Sequence, residues 1–110
     1  MGTRGDLSQR LELGLKRYNH GVRVDDDTRE WGTPQNSWIE MAREELLDAI
    51  IYVIADYLRT REERGENDEN ELIMHYAKNN GLVESERHRL LLWNLERMLD
   101  STLFRTENGE

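Results

Sequence analysis

Glu40, Glu44, Glu45 and Asp48 crowd into the first half of WIEMAREELLDAIIYVIADYL, residues 38–58, a stretch otherwise among the most apolar of the chain. At about 100° per residue, Ile39, Leu46, Ile50, Val53, Ile54 and Tyr57 form one wide stripe suited to a core. The acids fall on the other side, beside Met41, Ile51, Tyr52 and Ala55. Eleven of the thirteen residues from Leu46 to Leu58 are apolar or aromatic, and a helix apolar nearly all round is normally buried nearly all round. Asp48 is therefore expected to point into protein. An unpaired buried carboxylate is costly, and acids are poor partners for one another, so a divalent cation would satisfy the group. Each acid also has a plainer role. Glu40 follows Ser37 by three residues and completes a capping box. Glu44 fits an exposed helix face, and Glu45 and Asp48 fit salt bridges to Arg43, Arg59 or another helix. Spacing leaves the ligand and structural roles both open.

The elements that must hold this helix are short and helical. Leu7, Leu11, Leu15 and Tyr18 recur at helical intervals, with Asp6 as N-cap and Gly21 suited to a left-handed stop. Residues 22–37 carry DDD, a Trp-Gly pair and the only proline, which reads as an irregular loop of about sixteen residues, long enough to be functional. Arg23 and Arg29 could face an anion there, and Asp25, Asp26, Asp27 and Glu30 a cation. After Leu58 the run RTREERGENDENE reads as a solvated connection with Gly65 as helix stop. Asp68 and Glu71 open a third helix ending near Asn79–Gly81, with His75 as an ordinary surface position. A fourth helix spans about Glu84 to Leu103, with Leu91, Leu92, Leu95, Met98, Leu99 and Leu103 at helical spacing and His88, Glu96 and Asp100 as solvated positions. No segment alternates with period two. The expectation is one all-α domain over residues 1–110, a bundle of about four helices completed by oligomerisation, with disordered tails at 1–6 and 105–110.

Composition narrows the function. A net charge of −8 argues against a broad grip on nucleic-acid phosphates, which draws on lysine and arginine. No run approaches the roughly 18 apolar residues of a membrane span, and residues 1–6 lead into no apolar segment of a signal peptide. The absence of cysteine removes disulfides, thiolate zinc sites and thiol nucleophiles, and with a mean hydropathy of −0.89 suits a soluble, cytoplasmic protein.

EELLD, Glu44 to Asp48, followed by Ala49, Ile50, Ile51 and Tyr52, resembles the EExxDxxxY helix of short phage-type relatives of the MazG-like all-α nucleoside triphosphate pyrophosphohydrolases. GLKRYNHG, Gly14 to Gly21, is similar to the segment that precedes the acidic helix there. The likeness covers about half of the chain. It implies an oligomeric helical bundle in which Glu44, Glu45 and Asp48 bind Mg²⁺, or Mn²⁺, and with it the triphosphate of a nucleotide. Water attack then releases pyrophosphate and a monophosphate. Lys16, Arg23 and Arg29 are the candidate phosphate contacts. One part of the pattern is missing. The family carries an ExxE element on the preceding helix, where this chain offers only Glu12, while Asp27 and Glu30 have the right offset but lie in the loop. A second subunit supplying the acids, or nucleotide binding without hydrolysis, would follow from that gap.

Overall fold

In the computed structural model, which describes residues 2–103, the chain folds into four helices: α1 Thr3–Tyr18, α2 Trp38–Thr60, α3 Asn70–Lys78 and α4 Glu86–Leu103. No strand occurs among the described residues. The expected all-α architecture is what forms. The tail expected at 105–110 lies outside the described residues, whereas Thr3 to Asp6, expected to fray, are the first turn of α1.

Helix ends follow local chemistry, in places through a different residue from the one expected. Gly2, not Asp6, precedes α1, and Asp6 sits in the first turn, where its charge suits the exposed N–H groups. Asn19 takes the left-handed conformation at the other end (φ 65°), its N–H reaching the Leu15 carbonyl at 2.8 Å, so the stop comes two residues before Gly21. Ser37 caps α2 as expected, its Oγ accepting from the Glu40 N–H at 3.1 Å. The Glu40 carboxylate does not close the box: it accepts from the Gln35 N–H, because the Ser37 N–H is already given to Thr28 Oγ1 at 2.7 Å. Glu62, with φ 57°, ends α2 before Gly65 is reached, and Glu63 N–H closes back on the Leu58 carbonyl. Asp68 accepts from the Asn70 N–H at the start of α3, and Ser85 caps α4.

The core sits in the C-terminal half. Ile50, Ile54, Tyr57 and Leu58 of α2 meet Tyr76 of α3, Val83, and Leu92 of α4, with Val53, Leu72, Ile73, Ala77, Leu95 and Leu99 packed around them. The expected α2 stripe is right from Ile50 onward and wrong at Ile39, which is exposed. Every residue of the α1 stripe, Leu7, Leu11, Leu15 and Tyr18, is exposed, and α1 has no buried residue. Its amphipathic pattern is left unburied by the described residues. The radius of gyration is 17.0 Å, against roughly 13 Å for a compact chain of this length.

His88, expected in solvent, is 7% exposed. Its Nε2 lies 2.7 Å from Asp56 Oδ2 on α2 and its Nδ1 2.6 Å from Ser85 Oγ, so one ring ties the start of α4 to α2. The hydrogen bond from His88, more than the nearby charges of Arg87 and Arg59, holds the Asp56 carboxyl below its ordinary pKa. A depressed folded-state pKa contributes stability above the unfolded value near 4, and that contribution is lost as pH falls through the folded value. His88→Ala is expected to cost about 2 kcal/mol in urea unfolding at neutral pH. The gap between variant and parent should narrow below about pH 4. The Asp56 carboxyl resonance should titrate higher in the variant.

Candidate functional site

Loop 22–37 is not irregular throughout. A 3₁₀ turn at Thr28–Trp31 is capped by Asp27, whose carboxylate accepts the Arg29 N–H and pairs with the Arg29 guanidinium at 2.6 Å. The side-chain bond to Arg29 lowers the Asp27 carboxyl to about 2. Thr28 is fully buried (0% exposed) and joins the loop to α2. Its Oγ1 accepts from Ser37 N–H and lies within hydrogen-bond distance of Thr33 Oγ1 and the Gln35 carbonyl, while Asn36 Oδ1 accepts from its N–H. Thr28→Val keeps the shape and removes the hydroxyl, leaving Ser37 N–H without an acceptor. It should cost about 1–3 kcal/mol and speed amide exchange at Ser37, which exchange mass spectrometry would read.

This turn sets two tryptophans beside α1. Trp31 and Trp38 lie 5.4 Å apart, ring centre to ring centre, at 59°, and Trp38 Nε1–H is held by the Val24 carbonyl at 2.9 Å. Between them and the Leu11, Leu15 and Tyr18 side of α1 is a largely apolar cleft of about 480 Å³, with Met41 on its α2 wall and Arg10 and His20 among its polar lining. Its size suits a small planar ligand. Sequence reasoning missed this cleft; the signal was two tryptophans seven residues apart on either side of the only proline.

Met41 opens the outward face of α2, and Glu44, Glu45 and Asp48 continue it over the next two turns. All three acids are exposed. The expectation that Asp48 points into protein is therefore wrong: the core takes the Ile50, Ile54 and Tyr57 side, and no other element among the described residues covers the opposite one. Nor do the acids form the alternative salt bridges, since none pairs with Arg43 or Arg59 among the described residues. The Arg43 Nε is enclosed without an acceptor.

As oxygen donors the three acids suit Mg²⁺, which takes one or two carboxylates with water and phosphate. They do not converge into a preformed cage: no group of three or more histidine, aspartate or glutamate side chains close enough to hold a metal exists among the described residues. The candidate phosphate contacts are scattered. Arg29 is committed to Asp27, and Arg23 bonds Asp26 at 3.3 Å and His20 Nε2 at 3.0 Å, which sets it beside the cleft. Lys16 is on the far side of α1 from Tyr18, roughly 160° round the helix. Glu12 is exposed on α1 and Asp27 is held by Arg29, and neither joins Asp48 in a metal-holding group among the described residues.

No helix among the described residues is long and apolar enough to cross a membrane. Comparison with known proteins brings no match, whether to a family model, a curated protein or a solved structure.

Proposed function

We propose that the chain is a metal-dependent nucleoside triphosphate pyrophosphohydrolase, acting on free nucleotides in the cytoplasm and working as a homo-oligomer. The observation that carries this reading is the continuity of an aromatic cleft with an acidic strip on one helix face. From Met41 on the cleft wall to Asp48 the α2 axis rises about 10 Å, the order of distance between a nucleobase and its outer phosphates. Trp31, Trp38 and Tyr18 hold the base, Arg10 and His20 meet its polar edge, and Arg23 beside His20 is placed for a phosphate. Lys16 and Arg29, which the cleft does not use, are left as weaker phosphate contacts. Glu44, Glu45 and Asp48 are the residues that would hold Mg²⁺ or Mn²⁺. The bound cation would supply charge neutralisation and polarise an attacking water. The bond broken lies between the α- and β-phosphates.

A second reading, nucleotide sequestration without turnover, is favoured by one observation: the three carboxylates splay outward in the single chain. Incubation with a full panel of ribo- and deoxyribonucleoside triphosphates and Mg²⁺ or Mn²⁺, followed by chromatography, decides between them. Monophosphate and pyrophosphate in equal amounts are expected. Absence of turnover across the panel rejects hydrolysis. A nucleotide-dependent rise in melting temperature without product establishes sequestration, and at a hundredfold excess over Kd that rise corresponds to about 2.7 kcal/mol. Neither response rejects both.

A further inference from the structure

We propose that two copies of this chain pair through the outward face of α2, antiparallel, with Arg59 of the partner subunit beside Asp48. The face carries a self-complementary pattern. Asp48, Tyr52, Ala55 and Arg59 lie in one band of the helix at intervals of four, three and four residues. Turned end over end about the midpoint between Tyr52 and Ala55, the pattern maps onto itself. Asp48 then meets Arg59 of the partner subunit, and the Tyr52 ring meets the small Ala55 of the partner subunit, twice each by symmetry. Leu47 and Ile51, both exposed, run along one edge of the same band.

The area calls for such a partner. The chain exposes 9134 Å², whereas a compact chain of 13.1 kDa exposes roughly 6,400 Å². Setting aside all that the eight residues outside the description would add as open chain still leaves an excess of roughly 1,300 Å² over that figure. That is more than the roughly 800 Å² each side gives to an ordinary specific interface. Tyr52 is 67% exposed in the middle of a helix whose other side forms the core, and neither Asp48 nor Arg59 has a side-chain ion pair among the described residues. Met41 on the cleft wall and Asp48 at the start of the band share one face of α2, about 10 Å apart along the helix. A second copy fits this face better than an unlike partner, because the charges at its two ends are opposite and equidistant from the centre, so that pairing brings unlike charges together locally against the repulsion of a net charge of −8.

The pairing stands independently of the proposed nucleotide chemistry. The further role of Arg59 rests on it: a guanidinium arriving from the second copy beside Asp48 completes the site with a cation for a phosphate oxygen, at a carboxylate that no basic side chain of the same copy pairs with among the described residues.

Sedimentation equilibrium of the full chain tests the pairing. A dimer is expected at micromolar concentration. Asp48→Arg and Arg59→Asp should each weaken self-association by about thirtyfold or more. Because each single variant complements the other across an antiparallel two-fold, an equimolar mixture of the two should recover a heterodimer of near-parental affinity. Far-UV circular dichroism of each variant alone separates lost pairing from lost folding. A monomeric parent chain, a dimer unaffected by either substitution, or a mixture that fails to recover would each overturn the proposal. Loss of nucleotide turnover with the dimer intact would overturn only the enzymatic reading.

Discussion

Asp48→Asn should lower pyrophosphate release by at least about a hundredfold while leaving the melting temperature within a degree or two. The substitution keeps shape and volume and removes one negative charge, so its effect falls on whatever that charge holds. Asp48 touches nothing in the core and is exposed, and exposed substitutions away from packing and caps alter stability by only about half a kcal/mol. Turnover is another matter, because an amide is a far weaker Mg²⁺ ligand than a carboxylate and the charge it neutralises would be lost from the transition state. The same substitution at Glu40 gives the contrast. Glu40 bonds the Gln35 N–H in the loop, so Glu40→Gln should change turnover little. Rates from a continuous pyrophosphate assay, at fixed Mg²⁺ and with the dimer fraction measured in parallel, check both variants. Equal rates for Asp48→Asn and the parent would remove Asp48 from the chemistry.

Much of the fold is legible in the residue pattern because burial and helical periodicity coincide from Ile50 onward. Ile50, Ile54 and Tyr57 are placed by spacing alone, and Leu92 by the corresponding stripe on α4. Spacing cannot say which side of an all-round apolar helix is covered by the same chain, and that is where the reading of Asp48 failed. The same gap explains α1: an amphipathic stripe shows that a helix wants a partner, not whether its own chain provides one. His88 was misread because a polar ring joins a core only when Asp56 and Ser85, distant in sequence or used as a cap, arrive to satisfy both nitrogens. The organisation of the loop around Thr28 was hidden for a related reason. A threonine hydroxyl bonding backbone seven and nine positions away leaves no periodic trace. The acidic strip was visible as a motif, but its neighbour, the tryptophan cleft, exists only once the turn at Thr28–Trp31 folds the chain back.

The uneven distribution of the core carries the second large effect. Leu92→Ala should destabilise the protein by about 3–4 kcal/mol, and Leu11→Ala by under about 0.5 kcal/mol in the isolated chain. Leu92 is fully buried (0% exposed) where α4 meets α2, and its neighbours Ile54, Leu58 and Val83 are held by their own packing and cannot collapse into the space. Leucine at position 11 is equally apolar but exposed, so its removal opens no cavity. With about 4–8 °C per kcal/mol for a domain of this size, Leu92→Ala should melt roughly 15–25 °C below the parent. Global unfolding under denaturant would read the Leu92 cost. Amide exchange would read its counterpart, fast in α1 and slow in the second half of α2, because only the latter shares the core's stability. If α1 belongs to a surface completed by a second copy, Leu11→Ala should cost more as protein concentration rises, and Leu92→Ala should cost the same at every concentration. Equal losses for the two leucines in dilute solution would mean that α1 is anchored within its own chain, against the exposure of every member of its stripe.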